Sequence, residues 1–124
     1  MQSPAFVVRL SLTGLAAVVT GLALAASASP AVPKLTGTVG PAYNISLTNG
    51  GKKVSKLKAG KYTIVVKDRS NIHDFHLTGP GVNKVITGTS FVGTKTVTLD
   101  LKKGNYKYVC DPHIPSMHGS FKVT

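Results

Sequence analysis

From residue 35 to the C-terminus, apolar and polar side chains alternate with a period of two almost everywhere. Alternating or β-branched runs occur at 35–39, 43–48, 62–67, 74–78, 84–87, 94–101, 105–110 and 120–124. Each has the length and composition of a strand with one buried face. Between them lie glycine-centred turn signals, "TNGGKK", "KAGK", "TGPG" and "KKGN". No stretch after residue 35 carries an apolar stripe at helical spacing. About eight short strands with glycine punctuation predict an all-β sandwich or barrel.

One frame occurs twice. "LKAGKYTIVVKD" from Leu57 and "LKKGNYKYVCD" from Leu101 share L-K-x-G-x-Y-x-x-V. Two copies with no common period exclude a solenoid and suggest two similar hairpin corners in a Greek-key sandwich.

Alternation also assigns faces. In "NYKYVC", Tyr106, Tyr108 and Cys110 share one side and Lys107 and Val109 the other. Lys107 belongs in water, which turns Cys110 inward. In "HDFHLT", Phe75 and Leu77 want the core and take His73 with them, leaving Asp74, His76 and Thr78 on the opposite side. An inward imidazole at one strand mouth can therefore meet an inward thiol at another.

The N-terminus changes the compartment. Met1 to Arg9 is short with one positive charge, Leu10 to Ala26 is apolar with small residues, and Ala26-Ser27-Ala28 has a small-x-small cleavage pattern. This is the plan of a secretory signal peptide, and the apolar run is shorter than the roughly 20 residues of a spanning helix. The expected organisation is a signal peptide over 1–28, a proline-containing lead-in over 29–34 and one domain over 35–124. Retention of the first segment as an anchor is the alternative. What remains is one modest core.

Fifteen basic residues stand against four acids, all Asp, for a net charge of +11. Such a surface favours anionic partners. The lysines are scattered, without an arginine cluster or a recognition-helix pattern, which argues against nucleic acid.

Cys110 is the only cysteine, so no internal disulfide forms, and an exported thiol must be buried, bridged to another chain or bound to a metal. Its neighbours favour the metal. "CDPHIPSMHG" adds His113 three residues later and Met117 four after that. With His73, these supply one thiolate, two imidazoles and a weak thioether, the donor set of blue-copper electron-transfer sites. Zinc would use Cys-His-His but not the thioether. A thiolate beside an imidazole is also a nucleophile, though the three-residue spacing and the methionine favour ligation. Four histidines are too few for a trinuclear oxidase centre, and one cysteine excludes a dinuclear thiolate-bridged site. His76 and His118 are expected at the surface. "GPG" at 79–81 has no helix after it and is not a phosphate loop.

"IHDFHLTGPG" together with "YVCDPHIPSMHGSFKV" resembles the plastocyanins and other small blue-copper proteins of the cupredoxin fold. The resemblance spans the whole of 35–124 in strand order. It implies a cupredoxin-like Greek-key sandwich of about eight strands and one type 1 copper ion held by His73, Cys110, His113 and Met117. It further implies a one-electron carrier rather than an enzyme, working in the periplasm or outside the cell. A copper-handling or storage protein would use the same ligands without an electron-transfer role. The chain departs from the family in four places. The loop is one residue shorter between His113 and Met117, Asp74 replaces the usual Asn, Val109 replaces an aromatic, and the acidic docking patch of plant plastocyanins is missing. Two carboxylates at Asp74 and Asp111 would repel unless something offsets them. The expected partners are redox proteins with acidic docking surfaces, with no stable membrane insertion after cleavage and a monomeric state.

Overall fold

The computed structural model describes residues 2–5, 11 and 13–124. Ten strands occur in chain order: β1 Lys34–Val39, β2 Ile45–Asn49, β3 Lys52–Lys53, β4 Lys56–Leu57, β5 Gly60–Asp68, β6 Phe75–Gly79, β7 Val82–Thr87, β8 Gly93–Leu101, β9 Gly104–Val109 and β10 His118–Val123. Eight are those the alternation predicts, with ends that coincide or shift by at most two residues. The two additions, β3 and β4, are two residues each, too short to leave a period in the sequence.

The strands form two five-stranded sheets, ordered β3-β2-β1-β5-β8 and β4-β10-β9-β6-β7. Alternation drives the assembly. Leu35, Val39, Leu47, Ile64 and Val66 point inward from the first sheet and are almost fully buried. Phe75, Leu77, Tyr106, Tyr108, Phe121 and Val123 do the same from the second. Phe75 stacks on Tyr108 at a centroid distance of 5.6 Å and Tyr106 on Phe121 at 5.2 Å, pairs worth about 0.5–1.5 kcal/mol each beyond area burial. β1 runs parallel to β5, and its other neighbour β2 is antiparallel, as a Greek-key connection requires.

The repeated frame turns out to be a pair of corners between sheets, not hairpins. β4 lies in the second sheet and β5 in the first, whereas β8 lies in the first and β9 in the second. At one corner the Tyr62 hydroxyl donates to Lys58 O at 2.7 Å, and at the other Tyr106 donates to Lys102 O at 2.9 Å. In both, the tyrosine closes on a carbonyl four residues upstream, the device known from sandwich corners. Gly60 and Gly104 open the two strands at φ +154° and +145°, a region that disfavours side chains. Shared chemistry, L-K-x-G-x-Y, thus encodes two chain reversals that each carry the backbone across the core.

Of the expected signal segment, residues 1, 6–10 and 12 lie outside the described residues. The described part carries no helix or strand, and Leu15, Val18, Val19, Leu22 and Leu24 are exposed. Among the described residues no helix is long and apolar enough to cross a membrane.

Candidate metal centre

Two loops meet at one end of the sandwich. The first is a hook after β9. Cys110 and Met117 face each other across its base, with Cys110 N–H donating to Met117 O at 3.0 Å. A single 3-10 turn, Asp111–His113, carries the chain away, and Pro112 fits its start because the missing N–H has no partner to lose there. His113 N–H donates to Cys110 O at 2.9 Å, and Met117 N–H donates to His113 O at 2.8 Å, so His113 is fixed between the hook's two arms. His118 Nδ1 donates to Ile114 O at 2.8 Å and ties the far side.

The second loop joins β5 to β6. Asp68 Oδ1 accepts from Ser70 N–H at 3.1 Å and Ser70 Oγ accepts from Ile72 N–H at 3.3 Å, two local turns that deliver His73 to the core side. Gly40 adds clearance: its φ is +68°, and a Cβ there would press on the Ser70 side chain and on the His73 ring.

The result brings together His73, Cys110 and His113, the first two fully buried and the third partly so. His73 Nδ1 and His113 Nδ1 are 3.0 Å apart, and Cys110 Sγ lies 3.7 Å from the former and 3.5 Å from the latter. The point equidistant from these atoms lies about 2.0 Å from each, close to the ~2.0–2.3 Å reach of nitrogen and sulfur bonds to a first-row metal ion. Three lone-pair donors converging on one point repel unless a proton or cation sits between them. Met117 is fully buried at the base of the hook. His73 Nε2 is buried with no hydrogen-bond partner among the described residues.

Electrostatics around the sulfur are set by Asp74. Its backbone N–H donates to Cys110 Sγ at 3.4 Å. Burial pushes the Cys110 thiol up from its ordinary value, and the Asp74 N–H pulls it partway back. Strict alternation puts the Asp74 side chain outward; instead it is buried, because 71–74 precedes β6 and has no strand geometry. There its Oδ1 accepts the Asp111 N–H. The expected repulsion of two carboxylates is eased by geometry, since Asp74 binds Asp111's backbone and His76 takes Asp111's carboxylate, yet the Asp111 side chain still helps push the Asp74 carboxyl up.

His76 and His118 lie outside the cluster, as expected. Tyr43 was not singled out by the sequence. Its ring packs edge-on against His73 at 5.1 Å and His113 at 4.8 Å between centroids. The alternating pattern placed Tyr43 in a strand, but β2 begins at Ile45 and Tyr43 sits in the preceding turn.

A two-sheet sandwich with one sulfur and two imidazoles converging at one end defines a small blue-copper protein of the cupredoxin type. Residues 40–124 match the model of the copper binding proteins, plastocyanin/azurin family, and the chain belongs to that family. Solved structures of rusticyanin, a copper protein, share the fold. One gives a TM-score of 0.56 at 18% identity, covering 77% of this chain and 80% of the other. Reduced rusticyanin gives 0.56 at 20% identity over 78% and 82%. A methionine-to-glutamine mutant gives 0.52 at 23% identity over 77% and 80%. No curated protein sequence matches the chain. Soft sulfur beside two imidazoles suits copper, and the cluster fits a single type 1 ion.

Proposed function

We propose that this chain is an exported one-electron carrier whose copper is held by His73, Cys110, His113 and Met117. The observation that carries the reading is the convergence of two Nδ1 atoms and one Sγ on a point at bonding distance from all three. Copper at that point would supply the Cu(I)/Cu(II) couple, with the sulfur donors favouring Cu(I) and the imidazoles tolerating both states. The chain's own contribution is rigidity. The hook's backbone bonds and its prolines, Pro112 and Pro115, hold the ligands in place before metal arrives, so little rearranges when charge changes. Asp74 N–H stabilises negative charge on the sulfur, and Tyr43 packs against both imidazoles.

Residues 1–28 act as a secretory signal, 29–34 as a lead-in and 35–124 as the copper domain. Exposure of the apolar side chains at 15, 18, 19, 22 and 24 supports a segment that takes no part in the fold. The working compartment is the periplasm or the cell exterior, and the partners are redox proteins with acidic surfaces.

Metal analysis and a visible spectrum of the copper-loaded protein test the site, and reversible voltammetry tests the role. One copper per chain, an intense thiolate-to-copper band lost in Cys110→Ser, and fast reversible electron exchange are expected. Cu(II) bound without that band would overturn the ligand set. The band without reversible exchange would overturn the carrier role in favour of copper handling.

A further inference from the structure

The outward face of the second sheet is built in three rows. Register pairs Lys56 with Lys122 and Lys122 with Asn105, then Ser120 with Lys107 and Lys107 with Thr78, then His118 with Val109 and Val109 with His76. Partners in register share a face, so the outward side grades from lysines at the end remote from the copper loop to Val109 at its foot. Two cavities of about 410 and 330 Å³ lie along this face. Both are lined by Lys107 and Ser120, which makes them one trough. One end meets Lys122; the other meets Ile114 and Pro115 of the copper hook.

Carboxylates are scarce here. The chain has four acids. Asp68 and Asp74 are buried, and Asp100 pairs in register with Lys61 on the other sheet. Asp111 is bound by His76. The lysines of the trough therefore have no acidic neighbour to neutralise them. The opposite sheet also carries lysines, but Lys61 faces Asp100, and the copper hook does not border that face.

We propose that this trough is a docking surface for an acidic segment of a protein partner. Carboxylates would sit over Lys56, Lys107 and Lys122, and an apolar residue would fill the end lined by Val109, Ile114 and Pro115. The apolar end is what selects a protein over a phosphate-rich polymer, which has nothing to place there. Val109 directly precedes Cys110, so a partner seated in the trough lies one residue from the sulfur. The purpose of this surface rests on the electron-carrier reading, but its existence is measured independently, by binding.

The test uses the Cu(I)-loaded full chain and two probes: an oligoglutamate peptide ending in leucine, and vesicles of phosphatidylglycerol. Amide shifts on adding the peptide are expected at Lys107, Val109, Ser120 and Lys122, weakening with added salt. Lys107→Glu with Lys122→Glu should weaken peptide binding by roughly tenfold, while Lys61→Glu with Lys67→Glu should change it less than about twofold. All four lysines are exposed, and an unchanged melting curve confirms that each double variant folds. Shifts centred on Tyr43, Ile72 and His113, or on the first sheet, would overturn the proposal. So would equal losses in both double variants, or binding to the vesicles alone. Loss of voltammetric reversibility with the shift map intact would sink the carrier reading and leave the docking surface standing.

Discussion

Asp74 reaches Cys110 and Asp111 at once: its N–H donates to Cys110 Sγ at 3.4 Å and its Oδ1 accepts the Asp111 N–H at 2.6 Å. One buried residue therefore steers the sulfur and pins the residue that follows it. Burial, and next the neighbouring Asp111 side chain, push the Asp74 carboxyl above its ordinary value. Asp74→Ala keeps the amide but strands the Asp111 N–H, and a lost bond of this kind costs about 1–3 kcal/mol. Asp74→Asn restores an acceptor of the same shape. Thermal melting of the metal-free protein should fall for Ala and recover most of the loss for Asn. Equal melting of both variants with the parent would mean the latch has no energetic weight.

The network continues to the surface through His76. Nδ1 lies 2.9 and 3.0 Å from the two Asp111 oxygens and Nε2 lies 2.6 Å from Asn83 Oδ1, an arrangement that favours the doubly protonated ring. The Asn83 bond first, and the Asp111 carboxylate next, raise His76 above 6.5 against the opposing effect of burial. Burial lifts the Asp111 carboxyl, but its bonds with His76 and Asp74 outweigh that and leave it below 3.8. The raised His76 contributes stability that is complete below pH 6.5 and is lost as pH rises through its higher folded value. The lowered Asp111 contributes above pH 3.8 and loses that contribution as pH falls through its lower folded value. The pair is strongest between those limits. With Asp111 partly exposed, its worth stays under ~1 kcal/mol. A ring-proton NMR titration should place the His76 midpoint above 6.5, with Asn83→Ala moving it down; a midpoint at or below 6.5 would refute the arrangement.

Cys110 sets a second pH dependence. Burial keeps its thiol protonated through the neutral range in the metal-free protein, whereas the ligand form is the thiolate. Binding copper must then release that proton, and affinity should weaken by about tenfold for each pH unit lost. Chelator competition at several pH values measures the slope. A flat profile across the neutral range would mean that sulfur is not a ligand.

Period-two alternation made the core legible, because burial on one face leaves a mark at every second residue. Inward Phe75, Leu77, Tyr106 and Tyr108 follow from it directly. The convergence of His73, Cys110 and His113 was legible for a different reason: Cys and His at short spacing, with a second inward His on a neighbouring strand, have few other uses in one loop. Sheet membership was not legible. The L-K-x-G-x-Y frame reads the same for a hairpin and for an arch, since the tyrosine bond is local and says nothing about which sheet receives the next strand. Asp74 was misassigned because alternation holds only within strands, and its loop is ordered by bonds to residues far along the chain.

Tyr43 escaped notice because alternation reads it as the first residue of a strand, whereas it sits in the turn before β2 and there completes a mutual edge-to-face cluster. The His73 and His113 rings lie 4.8 Å apart between centroids, and Tyr43 touches both while remaining 59% exposed. Each aromatic contact is worth about 0.5–1.5 kcal/mol, so removing the ring should cost roughly 1–3 kcal/mol of the order that holds the two imidazoles together. Tyr43→Ala should accelerate copper loss to a chelator by about tenfold and broaden the visible band as the ligand geometry spreads. Tyr43→Phe keeps the ring and should match the parent in both measurements. If Phe lost copper as fast as Ala, the hydroxyl and not the ring would be the working part. If neither variant changed, the two loops alone would set the imidazoles.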